Sequence, residues 1–228
     1  MYDLYIANKN YSSWSLRPWV LMRELEIPFR EHLLPFGAEA SWQSYRKISP
    51  SGKVPCLVDG DTVVWDSLAI AEYLAERHPA VWPAASAARA WARSAAAEMH
   101  SSFGELRNRC SMTCGQRIRL HESPPALERE LARLGALWSD GLNRFGGPYL
   151  AGAAFTAADA FYAPVAFRVL SYDLTLEPPA SAAYVRHLLG TRAMREWYAD
   201  ALKETFRDEP HEVDVLRMGK VLEDLRAT

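Results

Sequence analysis

The hydrophobic pattern of the chain changes near residue 80. Before that point, apolar and polar residues alternate over 2–6 and 29–34, and two apolar runs over 54–58 and 62–65 flank the turn sequence Asp59-Gly60-Asp61. Alternation with a period of two predicts strands, and two such runs around a short turn predict a hairpin. Helical patterns follow the first strand, the second strand and the hairpin, so the predicted order is β-α-β-α-β-β-α. The first part of the chain is therefore expected to be an α/β domain with a mixed sheet.

After residue 80 the strand signals give way to helical patterns rich in Ala, Leu, Arg and Glu. The change is marked by the proline-containing segment Pro79-Ala80-Val81-Trp82-Pro83. Helices are predicted near 86–110, 124–145, 156–171, 181–189, 192–207 and 212–226. The chain is therefore expected to consist of an N-terminal α/β domain over 1–79, a linker over 80–85 and an all-α C-terminal domain over 86–228.

Both ends of the predicted hairpin carry backbone features that suit a small peptide ligand. Val54-Pro55 opens the first strand, and an X-Pro bond there is a candidate cis peptide that turns the backbone groups of the preceding residue outward. Asp66 and Ser67 begin the helix after the second strand, where free N–H groups and the positive end of the helix dipole favour a carboxylate. Together these features predict a two-point clamp. Taken alone, Asp66 and Ser67 fit an ordinary helix cap equally well.

The segment 49–79, SPSGKVPCLVDGDTVVWDSLAIAEYLAERHP, closely resembles the glutathione-binding segment of cytosolic glutathione transferases, whose N-terminal domain has a thioredoxin-like fold. In that family the residue before a cis-proline pairs with the cysteinyl backbone of glutathione, and an acidic or amide residue followed by Ser holds the γ-glutamyl group. The resemblance assigns these roles to Val54, Asp66 and Ser67, and it adds Lys53 and Pro55 through the run GKVP. It implies glutathione as a co-substrate and no tightly bound cofactor.

The polar loop after the first strand is the predicted source of the hydroxyl that activates the thiol. Pro18 lacks an N–H and is best tolerated in the first turn of a helix, so the next helix is expected to begin close to Ser15. Ser12 and Ser13 then lie just ahead of its positive end. Lowering a thiol pKa by two units takes roughly 3 kcal/mol. A hydroxyl donor supplies about 1.5–3 kcal/mol and a helix N-terminus adds ~0.3–1 kcal/mol or more, so a lone serine is chemically sufficient.

The loop sequence YSSWSLR resembles the Ser-Ser-Cys-Ser-x-Arg loop of the zeta class, which includes maleylacetoacetate isomerases. When the two are aligned on Arg17, Ser12 takes the position of the catalytic serine of that class. Ser12 is therefore the first candidate and Ser13 the second. Ser15 is expected to cap the helix, and Arg17 to be a structural or helix-surface residue. Trp14 stands where zeta enzymes carry Cys, which argues against mixed-disulfide chemistry and leaves the isomerase assignment open.

The second-substrate pocket is expected between the domains, along the first loop and the helix near residues 103–112. Trp14, Arg107 and Met112 are its candidate lining residues, although core packing or surface exposure explains each of them equally well. Tyr5 and Tyr11 are further candidate hydroxyl donors, since some classes of the family use Tyr, but Tyr5 is expected to be part of the buried structure. The six histidines show no telling spacing to a serine or an acid and are expected to be structural or surface residues.

Composition and cysteine content bear on the partners, the location and the metal content expected of the protein. The chain has 228 residues, 49% of them hydrophobic, and a formal net charge of −2, which does not favour a nucleic-acid partner. No apolar run is long enough for a membrane span and the N-terminus reads as a strand, so a cytoplasmic protein without a signal peptide is expected. Cys56, Cys110 and Cys114 favour free thiols, and the last two lack the further ligands that a zinc site needs. Thr156 and Asp159 match the structural capping motif of the family's C-terminal domain.

The resemblance thus implies a homodimeric glutathione transferase of Ser type that adds the thiolate of glutathione to small electrophiles, as in detoxification. A glutathione-dependent cis-trans isomerase of maleylacetoacetate isomerase type is the alternative reaction. The non-enzymatic alternative is a transferase-like module for protein contacts or ligand binding. The loop serines and the Asp66-Ser67 pair, which such modules often lose, favour the enzyme.

Overall fold

The computed structural model describes residues 1–37 and 41–228, without the side chains of Ser41, Trp42 and Ser44. Its N-terminal part has the predicted element order, with β1 (Tyr2–Ile6), α1 (Ser13–Glu24), β2 (Phe29–Leu33), α2 (Ser41–Arg46), β3 (Cys56–Asp59), β4 (Thr62–Trp65) and α3 (Ser67–Ala75). The four strands form one mixed sheet in the order β2-β1-β3-β4, in which only β1 and β2 are parallel. The predicted thioredoxin-like fold of this part is confirmed.

The strand register brings three points of the chain to one end of this sheet. β1 is antiparallel to β3, which is antiparallel to β4, and the register aligns Tyr5 with Cys56 and Cys56 with Trp65. The end of β1, the start of β3 and the end of β4 are therefore neighbours. The loop before α1, the Val54-Pro55 bond and the first turn of α3 adjoin these three points. Sheet pairing alone thus assembles residues that are far apart in sequence.

α1 begins earlier than predicted. The N–H of Leu16 donates to the carbonyl of Ser12 at 3.1 Å, which closes a first turn that starts at Ser13. Pro18 therefore lies inside the helix and not in its first turn. The prediction that Pro18 marks the first turn was therefore wrong, because the helix accommodates one missing backbone hydrogen bond at this point.

The C-terminal part is helical, as predicted. A short 3₁₀ helix over Pro79–Val81 leads into α4 (Ser86–Ser101), α5 (Gly104–Arg109), α6 (Pro125–Phe145), α7 (Ala157–Tyr172), α8 (Pro179–Leu189), α9 (Arg192–Lys203) and α10 (Glu209–Met218). The single helix predicted over 86–110 is divided into α4 and α5, because Phe103 adopts a left-handed backbone conformation with a φ of 59°. We keep 1–79, 80–85 and 86–228 as the proposed domain limits.

A two-stranded antiparallel sheet, which the sequence did not predict, joins the middle of the chain to its last residues. β5 (Gln116–Leu120) pairs with β6 (Gly219–Asp224). The helix predicted over 212–226 therefore ends at Met218, and the prediction of a helix for the second half of this segment was wrong. Gly219 permits the close approach of the strands, since a Cβ at this position would lie 2.6 Å from the carbonyl oxygen of Arg119.

α7 forms the centre of the helical part and connects it to the N-terminal part. It is buried along nearly its whole length and contacts α1, α4 and α8. The predicted cap at its start is present: the N–H of Thr156 donates to Asp159 Oδ2 at 2.9 Å, while the N–H of Leu150 and the hydroxyl of Tyr184 donate to Oδ1. Asp159 is fully buried and lines neither of the two cavities described below. Its role is structural. Within the described ranges, none of the helices combines the length and the apolar character that crossing a bilayer demands.

Candidate active site

Two adjoining cavities lie at the end of the sheet where the three chain points meet. The larger has a volume of about 440 Å³ and the smaller about 420 Å³. Trp14, Lys53 and Val54 line both of them. The smaller cavity belongs to the N-terminal part, whereas the larger is closed on its other side by residues of the helical part.

The smaller cavity brings together all five residues predicted to bind glutathione. It is lined by Lys53, Val54, Pro55, Asp66 and Ser67, and the Val54-Pro55 bond is cis, as expected. Asp66 caps α3 by accepting a hydrogen bond from the N–H of the residue after Ser67 at 2.8 Å. Asp66 has a φ of 78°, a conformation that costs a residue with a side chain on the order of 1–3 kcal/mol and is common at ligand sites.

A buried cation lies behind the smaller cavity. Arg17 is 2% exposed, its Nη1 donates to Ser67 Oγ at 3.4 Å, and its guanidinium lies over the ring of Trp14 at 4.1 Å from the ring centre. Burial, followed by the charges of Arg168 and Arg107, lowers the pKa of Arg17. No carboxylate of residues 1–37 or 41–228 lies within ion-pair distance of it. Of the two positions expected for Arg17, structural or on the helix surface, the surface position was wrong, because α1 is buried between the sheet and α7.

The two candidate serines both line the larger cavity, but their hydroxyls are in different environments. Ser12 Oγ donates to Ser15 Oγ at 2.7 Å, and Ser15 Oγ also accepts a hydrogen bond from the N–H of Ala7 at 3.2 Å. The prediction that Ser15 caps the helix was therefore wrong. Ser15 lies buried behind Ser12. The hydroxyl of Ser13 makes no hydrogen bond within the described part of the chain and reaches the cavity.

Tyr11 and Tyr5 fit the role of thiol donor less well. Tyr11 lines the larger cavity, but its hydroxyl donates to Glu212 at 2.7 Å and accepts from Arg226 at 2.8 Å. Burial, followed by the hydrogen bond to Glu212, raises the pKa of Tyr11 well above its usual range. Tyr5 stacks on His32 at 4.5 Å between ring centres and lines neither cavity.

The helical part supplies the opposite wall of the larger cavity. Arg107 and Met112, predicted for this wall, line it together with Arg168, which the sequence analysis missed. Arg168 is 4% exposed and its Nε donates to the carbonyl of Cys110 at 2.7 Å, whereas Arg107 donates to two carbonyls at the end of α4. Burial lowers the pKa of both, that of Arg168 to about 10. In the part of the chain that the structure describes, neither has a carboxylate within ion-pair distance.

Arg168 had a visible signal in the sequence. It is the one basic residue of α7, in a stretch that is otherwise apolar apart from the capping aspartate and small polar groups. A basic side chain on a helix with no polar face has to be buried. It must then meet either an acid or a cavity. No such acid lies among the described residues; Arg168 donates to the carbonyl of Cys110 and also lines the cavity.

His211 is a second residue of the larger cavity that the sequence analysis missed. Its Nδ1 lies 2.5 Å from Asp208 Oδ2, and its ring stacks on Tyr11 and Phe36. The sequence held a signal, since Asp-x-x-His at a helix start places an acid and an imidazole on one turn. The expectation that all six histidines are structural or surface residues therefore overlooked a side chain of the candidate site.

The cysteines take no part in either cavity, and all three are buried free thiols. Burial raises the pKa of Cys56 to about 11 and that of Cys110 to about 12. The described residues contain no cluster of three or more His, Cys, Asp or Glu side chains suited to a metal ion.

Comparison with known proteins adds a family to this geometry. The family model described as glutathione S-transferase, N-terminal domain, matches residues 11–77. A zeta-class glutathione S-transferase of Euphorbia esula is 31% identical over 140 residues, which cover 59% of this chain and 62% of that protein. A maleylacetoacetate isomerase of Dictyostelium discoideum is 31% identical over 108 residues, which cover 46% of this chain and 49% of that protein. The chain thus spans about half to three-fifths of the length of these relatives.

Among solved structures, a theta-class glutathione S-transferase from the citrus canker pathogen Xanthomonas axonopodis pv. citri, with glutathione bound, superposes with a TM-score of 0.62. The two chains are 22% identical, and the match covers 86% of this chain and 96% of the other. At this identity the likeness shows a shared fold over nearly the whole length of both chains.

Proposed function

We propose that this chain is a cytosolic glutathione transferase of Ser type, since the N-terminal-domain family model matches residues 11–77 and the fold is shared over nearly the whole chain. It binds glutathione in the smaller cavity, stabilises the thiolate with a serine hydroxyl of the loop before α1, and adds the sulfur to a small electrophile in the larger cavity. We propose that the protein is a cytoplasmic homodimer, as the resemblance implies. Glutathione is its co-substrate, and no tightly bound cofactor is required.

A single arrangement carries this proposal: the peptide-binding elements and the loop serines adjoin each other. Val54 and the first turn of α3 both line the smaller cavity, while Val54 and Trp14 also border the larger cavity that contains Ser12 and Ser13. A peptide that extends from α3 to Val54 therefore presents its central residue next to the serines. That central residue is the cysteine of glutathione.

The charges around the smaller cavity are matched to the two ends of glutathione. The free N–H groups in the first turn of α3 and the buried Arg17 behind Ser67 favour the γ-glutamyl carboxylate, and Asp66 favours its ammonium group. Lys53 is exposed at the rim of both cavities and is suited to a carboxylate at the glycyl end. This distribution supports a zwitterionic peptide in preference to an apolar ligand.

The start of α1 provides the second requirement, a site that favours a thiolate. Ser12 is the N-terminal boundary residue of α1 and Ser13 its first residue, so both hydroxyls lie at the positive end of the helix dipole. A charge-assisted hydrogen bond of about 1.5–3 kcal/mol together with a helix contribution of ~0.3–1 kcal/mol lowers a thiol pKa by one to two units or more. From an ordinary thiol pKa of about 8.5, a shift of two units leaves the bound thiol largely ionised at neutral pH.

Isomerisation is a second candidate, and the basic wall of the larger cavity favours it. Arg168 and Arg107 have no carboxylate partner among the described residues, so a substrate that carries carboxylates would complete their pairing. In this reaction the thiolate adds to a conjugated cis double bond, the resulting single bond rotates, and the thiolate leaves. Turnover of maleylacetone, with none of a chlorinated nitrobenzene, would favour isomerisation. A non-catalytic binding module would turn over neither compound.

The experiment compares glutathione binding and conjugation in matched serine variants. Ser67→Ala removes a buried hydroxyl at the first position of α3, whereas Ser86→Ala removes an exposed one at the first position of α4, away from both cavities. We expect wild type and Ser86→Ala to bind glutathione with equal affinity in calorimetry. Ser67→Ala should bind about ten-fold more weakly, as expected for one hydrogen bond of ~1.5 kcal/mol to a charged group. Equal affinity in all three proteins would place glutathione elsewhere, and failure of the wild type to bind would refute the proposal.

A further inference from the structure

Asp208 and His211 form an acid–imidazole pair in the wall of the larger cavity. Asp208 is 8% exposed and is the N-terminal cap of α10; its carboxylate accepts hydrogen bonds from His211 Nδ1 at 2.5 Å and from the backbone N–H of His211 at 3.4 Å. The carboxylate therefore fixes Nδ1 as the protonated nitrogen. Nε2, on the opposite side of the ring, makes no hydrogen bond within residues 1–37 and 41–228 and is accessible.

The ring of His211 is fixed by stacking as well as by the carboxylate. It contacts Tyr11 at 5.0 Å with an interplanar angle of 28°, and Phe36 at 5.3 Å with an angle of 26°. Tyr11 is in turn held by hydrogen bonds to Glu212 and Arg226, and it immediately precedes Ser12. The imidazole thus has a defined position in the cavity that contains the loop serines. A histidine that served only to pack would not need an acid at Nδ1 and a free Nε2.

One class of thiol reaction needs a proton carrier at this place. When a thiolate adds to an α,β-unsaturated carbonyl compound, an S–C bond forms at the β-carbon and the π electrons move to the carbonyl oxygen. The resulting enolate then has to take a proton at its α-carbon. The proton that the thiol loses on ionisation balances the reaction. Substitution on an aryl chloride expels chloride instead and transfers no proton to carbon.

The serines and arginines of the cavity are poorly suited to carry this proton. A serine hydroxyl stabilises a thiolate by donating a hydrogen bond without losing its proton, because an alkoxide is far more basic than a thiolate. Arg107 and Arg168 keep their protons. The imidazole of His211 has Nδ1 held by Asp208 and Nε2 free, the arrangement in which a histidine can take up a proton at one atom and deliver it from there.

We propose that His211 is the catalytic proton carrier for the second substrate, positioned by Asp208. It takes up the proton of the glutathione thiol and delivers it from Nε2 to the α-carbon of the enolate. The inference rests on the proposed function and adds a substrate preference to it. Conjugated enones, which need this proton, are the matched electrophiles, and aryl chlorides are not.

The test compares an α-methyl-substituted enone with a chlorinated nitrobenzene. The proteins are wild type, His211→Gln, Asp208→Asn and, as a histidine control on the exposed surface, His121→Gln. We expect His211→Gln to lower kcat for the enone by about 10²–10⁴-fold, well beyond its effect on the aryl chloride, with a small change in KM. Asp208→Asn keeps an oxygen at the helix cap, so it should lower kcat for the enone less than His211→Gln does, again with a smaller effect on the aryl chloride. The adduct should change from one epimer at the α-carbon to a mixture, because solvent then protonates both faces.

Equal losses for both electrophiles in His211→Gln would indicate a structural role and overturn the inference, as would an unchanged single epimer. A wild type that conjugates the aryl chloride but not the enone would overturn the inference and leave the proposed function standing. A wild type that conjugates neither compound and does not bind glutathione would overturn both. Thermal unfolding of each variant shows whether the loss reflects chemistry or folding.

Discussion

Removal of the Ser12 hydroxyl tests the proposed thiol chemistry most directly. Ser12 donates to Ser15 Oγ at 2.7 Å, so its proton has to be redirected to the sulfur in the proposed complex. Ser15 Oγ already accepts from the N–H of Ala7, which leaves its own proton free to turn toward Ser12. Ser15 can then donate to Ser12 while Ser12 donates to the sulfur. The hydrogen bond to the sulfur therefore forms without loss of the hydrogen bond between the two serines.

The magnitude follows from this arrangement. A hydrogen bond to a charged acceptor contributes about 1.5–3 kcal/mol, so we expect Ser12→Ala to lower kcat/KM for a chlorinated nitrobenzene by about 10–150-fold. The pKa of the bound glutathione thiol should rise by about one to two units. Ser15→Ala removes the polarising neighbour alone and should cost a few-fold, while Ser13→Ala should cost less than about three-fold if Ser12 is the donor.

The assay follows the ultraviolet absorbance of the thiolate as the complex of each variant with glutathione is titrated with base, alongside kcat/KM. Thermal unfolding verifies that the alanine variants fold. The opposite pattern, a large loss in Ser13→Ala with Ser12→Ala near wild type, would move the role to Ser13, whose hydroxyl has no competing partner. If the thiol pKa were unchanged in both variants and in the double variant, a serine hydroxyl would not be what stabilises the thiolate.

Two further predictions concern stability and cysteine reactivity. Asp159→Ala leaves the buried N–H groups of Leu150 and Thr156 and the hydroxyl of Tyr184 without their acceptor. Because each unsatisfied group costs about 1–3 kcal/mol, we expect the free energy of unfolding, measured with urea, to fall by roughly 3–5 kcal/mol. A decrease of less than about 1 kcal/mol would refute the structural role assigned to Asp159. Burial raises the pKa of all three cysteines, so at pH 8 their thiols stay protonated and should react with a thiol reagent only after unfolding; rapid labelling of a native thiol would contradict the buried positions.

The elements of the smaller cavity, where we propose that glutathione binds, were predictable because each has a local signal. Val54-Pro55 opens a β-branched run, and Asp66-Ser67 provides helix-cap chemistry directly after the return strand. Their convergence follows from the pairing of β3 with β1 and β4, which the hairpin turn largely determines. For this part of the site, local chemistry and tertiary structure agree.

The larger cavity was less predictable because it depends on contacts between residues distant in sequence. β6 pairs with β5 across about half the chain, and the run GKVLED has no clear alternation that would distinguish a strand from a helix. His211 contacts Phe36 and Tyr11 only through the packing of α10. The sequence suggested that Ser15 is a helix cap because its partner could not be predicted. That partner is the N–H of Ala7, which follows the end of β1 and is not part of the helix.

The loop that carries the serines is held by the helical part of the chain more than by the domain to which it belongs. The backbone N–H groups of Lys9 and Asn10 donate to Glu204 at 2.7 and 3.1 Å, and the Asn10 side chain donates to the carbonyl of Ala201 at 2.5 Å. Tyr11, the next residue, is tied through Arg226 to the last residues of the chain. A loop at the end of a strand would otherwise be mobile, and a thiolate donor has to be fixed to within a fraction of an ångström. The helical part therefore forms one wall of the larger cavity and also holds the loop that carries the candidate serines, so the proposed active site requires both parts of the chain to be folded together.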